Sequence, residues 1–371
     1  MADPIRPDWS GRLSRLRDAV SSQSLDAFVV SHPTNLKYLC GFSGSAGLLM
    51  CTATEATLIV DGRYALAARQ DAAAGALGPV DVVLVDRRYD LTLGALLGEA
   101  GQPSAGFEAE HVTVAVLDGW QRAAPTVTWR AVYRLIEKHR AVKDATEIAT
   151  LRRAARLLSD IARELPSVVA AGQTERAVAR GIEDRLDRAG FSAPAFPTIV
   201  ASGPNSARPH ARPSERRLRA GDLVVLDFGG VLDGYCGDLT RMAAIGPVSS
   251  DARALYGAVR EAHEAAIAAV RPGVLASDVD GAARAALAAH GRAEAFLHGT
   301  GHGLGLDVHE APRIGRADAE QAEPLAAGMV CTIEPGAYVD GLGGARLEDD
   351  VLVTADGCEV LTDAPRDLLV V

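Results

Sequence analysis

The chain has 371 residues, enough for two domains with buried cores, and at 48% apolar and 23% charged it has the composition of a soluble globular protein. Its formal charge of −10 disfavours nucleic acid as a partner, because phosphate binding needs a concentrated basic face. No apolar run approaches the roughly 18 residues that suggest a membrane span, and the opening MADPIRPDWSGR lacks the apolar stretch of a secretory signal.

The first 140 residues read as a small α/β unit. Residues 10–23 place Leu13, Leu16 and Val20 at helical spacing, and LDAFVVS (25–31) is a short β-type run. SHPTNLKYLCGFSGSAG reads as a turn-rich connection. GLLMC (47–51) and ATLIVD (56–61) read as successive strands, YALAARQDAAA (64–74) as a helix, and DVVLVD (81–86) and Ala105–Phe107 as further strands. This half holds no compact cluster of reactive side chains.

Between Tyr133 and Leu165 the chain turns charged and helical, with Ile148, Leu151, Ala155 and Leu158 on one stripe. The expected boundary is near residue 140, giving domains 1–140 and 141–371. A second helix over 173–190 ends at a glycine, Gly190, and helices follow at 251–270, stopped by Pro272–Gly273, and at 277–290. DLVVLDFG (222–229) and YCGDLTRMAAI (235–245) form one expected hairpin, and MVCTIEPG to LEDDVLVT forms another. The five cysteines, Cys40, Cys51, Cys236, Cys331 and Cys358, are odd in number and include no CxxC pair, which fits a reduced, cytoplasmic setting. Cys236 and Cys331 read as small apolar strand fillers.

Five potential ligands recur in the second half: Asp227 in LVVLDFGG, Asp238 in GYCGDLTR, His302 in HGTGHGLGLDVHE, Glu334 in TIEPG and Glu348 in ARLEDD. Four carboxylates and one imidazole are a hard, mainly oxygen-donating set, suited to manganese and tolerant of zinc or cobalt. Two divalent ions held together can activate a water and polarise a carbonyl, which is what amide hydrolysis needs. Asp227 and Asp238 are symmetric about the point between Leu232 and Asp233, so a regular ladder would set them directly opposite each other. Glu334 and Glu348 repeat the arrangement about Gly341. Carboxylates that close repel unless a proton or cation sits between them. Asp233 and Asp350 read as turn or surface acids, and His32, His111, His139, His263 and His290 as structural or exposed. The glycines around His302 rule out a regular helix and permit close backbone approach.

On these segments the second half resembles the pita-bread-fold metallopeptidases. The whole chain is similar to their two-domain, proline-specific branch, aminopeptidase P and prolidase. NLKYLCGFSGSAG, VDGRY, RAVKDATEI, NSARPH and GGARLEDD carry the resemblance together with the five ligand segments. It implies an α/β (α+β) architecture, with a small N-terminal α/β domain of creatinase type and a C-terminal pita-bread metallopeptidase domain. It also implies two divalent metal ions per subunit, manganese being the expected metal, bound by Asp227, Asp238, His302, Glu334 and Glu348, with Asp238 and Glu348 bridging. Glu334 would serve as general base. His210 and His309 would contact substrate and steady the tetrahedral intermediate, His298 would line the pocket, and Arg346 would orient a ligand carboxylate or contact substrate. Around His210, Arg208 and Ala211 depart from the commoner residues.

The expected substrates are proline-containing peptides and the expected assembly is a homodimer. GFSGSAG and VDGRY lean towards an Xaa-Pro aminopeptidase, with an Xaa-Pro dipeptidase as the alternative. A metal-free creatinase-like enzyme or a non-enzymatic binding protein of this fold would lack the ligands. Methionine aminopeptidase, the remaining rival, usually lacks the N-terminal domain.

Overall fold

A computed structural model describes residues 7–101, 103–317 and 323–371. It divides into two compact units, one ending at Arg140 and one spanning Ala141–Val371. Among the described residues no helix is long and apolar enough to cross a membrane.

The first unit contains α1 (Trp9–Ser22), β1 (Ala27–Val30), α2 (Pro33–Cys40), β2 (Leu48–Thr52), β3 (Ala56–Val60), α3 (Ala65–Ala73), β4 (Asp81–Leu84), α4 (Tyr89–Glu99), β5 (Ser104–Glu108), α5 (Val114–Ala123) and β6 (Thr128–Val132). The strands make one sheet in the order β4-β3-β2-β1-β5-β6, mixed in direction. The segment expected to be a turn-rich connection contains α2. Pro33 sits at its first helical position, where a missing N–H costs nothing, and Gly41 ends it in the left-handed conformation at φ 79°. Two helices lacked a sequence expectation, α4 and α5. Their apolar stripes are interrupted by Gly94 and Gly98 in α4 and Gly119 in α5. Gly94 is there because the helices touch: a Cβ on it would lie 2.6 Å from the Ala123 carbonyl.

The helix α6 (Leu135–Ala141) leads into the second unit, where α7 (Ala145–Glu164) opens with a capping box between Asp144 and Glu147. There follow α8 (Glu175–Ala189), β7 (Ala193–Pro194), β8 (Ile199–Ser202), β9 (Leu223–Leu232), β10 (Tyr235–Ala244), α9 (Ser250–Ala269) and α10 (Ala276–Ala289). The chain ends with β11 (Gly301–Gly303), β12 (Glu310–Ile314), β13 (Val330–Ile333), β14 (Gly336–Val339), β15 (Gly343–Arg346), β16 (Asp349–Val353), β17 (Cys358–Val360) and β18 (Leu369–Val370). One sheet runs β18-β10-β9-β7 with β8 also on β9, a second runs β12-β11-β13-β16-β17, and β14 pairs with β15.

Helices cover both sides of these sheets. Ala154, Leu158, Val178 and Ile182 of α7 and α8 pack with Val224, Leu226, Phe228 and Leu239. On the opposite face Leu255, Val259, Val279 and Ala283 of α9 and α10 pack with Val225, Met242, Ile333 and Val351. A sheet covered on both faces buries every residue, which is why β10 is buried throughout and reads as a continuous run rather than an alternating one. Strand parity still assigns faces: Asp227 shares the α9/α10 face with Val225, and Asp238 shares it with Met242.

Candidate active site

The two acid-bearing hairpins differ from the expected geometry in an informative way. In β9–β10 the turn is Asp233-Gly234, with φ 52° and 89°, so Leu232 pairs with Tyr235. That two-residue, left-handed turn matches the natural twist of a hairpin. It moves the centre one residue beyond the expected point. Asp227 therefore lies opposite Thr240, and Asp238 opposite Gly229. The two aspartates are diagonal neighbours on one face rather than a direct pair, a separation of roughly 7–8 Å that still allows a shared site. In the second hairpin the expected register holds on both sides of the acids: Ile333 pairs with Asp349, and Gly336 with Arg346. Glu334 and Glu348 fall in the break between those ladders. There the Glu334 N–H donates to the Thr300 carbonyl at 2.6 Å and the Glu348 N–H to the Thr240 carbonyl at 3.3 Å. The break thus stitches the second hairpin to β10 and to the segment that carries His302.

At this junction donor atoms of Asp238, His302 and Glu348 lie within 4.8 Å of one another. His302 Nε2 is 3.9 Å from Asp238 Oδ2 and 3.6 Å from Glu334 Oε1. Its Nδ1 is 3.1 Å from the Gly303 carbonyl. A proton on Nδ1 satisfies that contact and leaves the Nε2 lone pair facing the acids, the tautomer a metal ligand requires. The Thr240 hydroxyl donates to Glu348 Oε2 at 2.7 Å. Asp238 is buried, and its Oδ1 has no hydrogen-bond partner, a costly state for a carboxylate oxygen unless a cation supplies the contact.

Electrostatics point the same way. Burial, then the charges of Glu348, Asp227 and Asp350, hold Asp238 well above the usual carboxylate range. Burial and the charges of Glu334 and Asp227 do the same to Glu348. Glu334 is pushed up to about 7 by burial, with Arg346 pulling it down and Asp227 pushing it up. Burial lowers His302 to about 4, aided by His309. Together these groups fit divalent cations: a buried, partly unpartnered cluster of acids beside an imidazole that stays neutral.

Asp227 is engaged elsewhere. Its carboxylate bonds to the Arg346 guanidinium, which also donates to the Tyr338 hydroxyl at 2.7 Å and the Pro209 carbonyl at 3.2 Å. Arg346 Nε lies 3.3 Å from Thr240 Oγ1 and 4.0 Å from Glu334 Oε2. Arg346 is buried at the centre of these contacts, in reach of two of the expected ligand carboxylates. His298 is tied in through Tyr338, its Nε2 2.9 Å from the hydroxyl, and burial lowers it to about 4. His309 stacks edge-on against His302 with ring centroids 4.2 Å apart. His210 and His309 are both exposed.

Asp350 is a correction. Far from being a surface acid, it is fully buried in β16, where its Oδ2 accepts the Asp238 N–H at 3.3 Å and burial raises it strongly. The residue lies in a sheet covered on both faces, so neither member of the Asp349-Asp350 pair can reach water. Asp233 does occupy the exposed turn, paired with Arg153. His263 is buried against Asp349 at 3.2 Å. Tyr338 and Thr240 were not among the expected site residues. Period-two counting could have found both: Thr240 follows Asp238 by two on the same strand face, and Tyr338 follows Gly336, the register partner of Arg346.

Comparison with known proteins decides the family. Residues 149–355 match metallopeptidase family M24, and residues 12–142 match the creatinase/prolidase N-terminal domain. The chain belongs to metallopeptidase family M24. Its relatives include an Xaa-Pro dipeptidase of Pyrococcus furiosus, 32% identical over 96% of this chain and 99% of that protein. Among solved structures, an Xaa-Pro dipeptidase from Bacillus anthracis superposes with a TM-score of 0.92 at 31% identity, covering 98% of this chain and all of that one. An X-Pro aminopeptidase from Thermotoga maritima superposes with a TM-score of 0.86 at 31% identity, covering 95% and all of the respective chains. The pita-bread architecture with a creatinase-like N-terminal domain follows, as does a metal-dependent peptidase chemistry.

Proposed function

We propose that this M24 member is a two-metal peptidase that hydrolyses the Xaa–Pro bond, with Xaa-Pro dipeptides as its preferred substrates. The observation that carries the chemistry is the Asp238–His302–Glu348 cluster within 4.8 Å, set at the junction of two acid-bearing hairpins. Asp227, Asp238, His302, Glu334 and Glu348 would hold the ions, with Asp238 and Glu348 shared between them. When bound, two divalent cations supply an acidified water and a polarised carbonyl. Manganese suits the oxygen-rich set.

The residues then divide the work. Glu334, 3.6 Å from His302, would accept the proton of the attacking water and pass it to the prolyl nitrogen as the C–N bond breaks. Arg346 fixes Asp227 and, through Tyr338, the ring of His298. His210 and His309, both exposed, would meet the substrate and donate to the oxygen of the tetrahedral intermediate. An Xaa–Pro bond is a tertiary amide without an N–H, so recognition falls to the shape of the ring and the charge of the amino end.

The preference for dipeptides is supported by full-length relatives named Xaa-Pro dipeptidase in two organisms. The likeness to the Thermotoga maritima enzyme, together with GFSGSAG and VDGRY, supports the aminopeptidase as a second reading. A homodimer in the cytoplasm completes the proposal, the latter fitting five free cysteines. Metal-stripped protein, with and without added manganese, should be offered Ala-Pro and Ala-Pro-Ala. Manganese-dependent cleavage of the dipeptide supports the proposal. Cleavage of the tripeptide before proline selects the aminopeptidase, and silence on both rejects a proline-specific peptidase.

A further inference from the structure

A buried carboxylate outside the ligand set bonds to both ends of the loop that carries His210. Glu175, at the start of α8, is completely buried, yet its charge faces no metal ligand; it faces the two ends of one loop. At the first end, Oε1 accepts the Ser202 N–H at 2.8 Å and the Ser202 hydroxyl at 2.7 Å. At the other, Oε2 accepts the Ser214 N–H at 3.0 Å and the Ser214 hydroxyl at 2.6 Å. The Asn205 amide donates to both oxygens, at 3.0 and 3.1 Å. Around them, the Glu175 N–H donates to the Arg216 carbonyl and the Arg176 N–H to that of Ser214. Burial raises this carboxyl, but the bonds from Ser214, Ser202 and Asn205 outweigh it and hold the group below its usual range.

Residues 203–213, enclosed by that clamp, reach the site at three points. The Ser206 hydroxyl accepts the Gly344 N–H at 2.9 Å. The Pro209 carbonyl accepts from Arg346, the guanidinium that holds Asp227. Burial lowers both His298 and His309, and His210, next to Pro209 in the chain, adds to both shifts. Gly344 has no room for a side chain here, since a Cβ would lie 2.1 Å from the Ser206 carbonyl oxygen. The loop therefore has a fixed seat on the second hairpin, and its two ends are tied by one residue.

We propose that Glu175 is a positioning residue for the peptidase reaction: by fastening both ends of the 203–213 loop it sets His210 over the substrate and braces Arg346 through the Pro209 carbonyl. This rests on the peptidase reading above. In Glu175→Gln one acceptor oxygen becomes a donor facing other donors, so the loop loosens while every ligand stays in place. The expected result is a fall of about ten- to hundredfold in kcat/KM for Ala-Pro, carried by a raised KM and a lowered kcat, because His210 would contact substrate and intermediate alike. Metal content should stay at the wild-type value, and amide hydrogen exchange over 203–213 should speed up selectively.

A double-mutant cycle supplies the decisive readout. In a His210→Ala background Glu175→Gln should cost much less than it does alone, since the residue it positions is gone. An equal cost in both backgrounds, or unchanged exchange over the loop, would overturn the inference. Should Glu175→Gln fail to fold, Ser214→Ala removes a single donor and should show the same pattern more weakly; no change in KM or exchange would again overturn it. If the wild type cleaves neither peptide, the peptidase reading fails by itself, and the positioning role fails with it even where the exchange data show the clamp.

Discussion

The two acid-bearing hairpins of the catalytic unit solve one problem in two ways. β9–β10 is a continuous ten-residue ladder, closed by the tight Asp233-Gly234 turn, and it presents Asp227 and Asp238 diagonally on one face. The second hairpin is broken where its acids sit, with ladders on either side in a common register. In the unbroken hairpin the ladder fixes both strands, and groups of β10 that face away from β9 meet the second hairpin: the Asp238 N–H donates to Asp350, and the Thr240 carbonyl accepts from Glu348. In the broken one the freed N–H groups of Glu334 and Glu348 bond to Thr300 and Thr240, and this draws three separate segments onto one point. A rigid platform meets an interrupted strand, and the candidate metal centre forms at their contact.

The largest effects are expected at Asp238 and Glu348, one acid from each hairpin. Asp238→Ala or Glu348→Ala should cut metal content to one ion per chain or none and abolish turnover, measured by elemental analysis and peptide hydrolysis on the same samples. Retained activity in either variant would exclude a centre shared between the hairpins. Next in size is Arg346, which sits between them. Arg346→Ala leaves Asp227 buried without its guanidinium, and breaking a buried pair of this kind costs about 3–5 kcal/mol. Urea unfolding of the metal-stripped protein should show the loss.

Smaller effects sharpen the picture. His309 belongs to neither hairpin and is exposed, although it packs on His302. His309→Ala should lower kcat by about a hundredfold, within the span of a lost donor to the oxygen of the tetrahedral intermediate, while metal content stays near normal. The smallest change is at the turn. Gly234 has φ 89°, and Gly234→Ala should cost about 1–2 kcal/mol because side chains disfavour that conformation. The stability loss should appear in urea unfolding with kcat nearly unchanged; a large fall in kcat would mean that the turn sets the spacing of Asp227 and Asp238 more tightly than the ladder does.

Much of this arrangement could be read from residue order, for identifiable reasons. The strands of β9 and β10 are marked by apolar runs around a Gly/Asp turn, and α7 and α8 by their stripes and by Gly190. The pairing of Asp227 with Asp238 missed by one turn position, because symmetry about the acids ignores the preference of Asp-Gly for the two central sites of a tight turn. α2 was obscured by the Gly- and Ser-rich residues after it, although Pro33 and Gly41 mark its ends. α4 was obscured by glycines placed for contact with α5 rather than for helix propensity. Asp350 was misread because a charged residue in a strand is ordinarily at the surface, and nothing local says that a second layer of helices covers it. Thr240 and Tyr338 act through contacts that span about a hundred residues, or through a partner on another strand, and such contacts emerge only when the sheets are assembled.

In the proposed centre, the two hairpins would jointly hold two divalent ions. The most direct measurement is the stoichiometry of manganese bound by metal-stripped protein, titrated calorimetrically and checked by elemental analysis after removing free ion. Two equivalents per chain, falling to one or none in Asp238→Ala, is the predicted result. A wild-type protein that binds no manganese, zinc or cobalt, or that keeps two equivalents without Asp238, would contradict it.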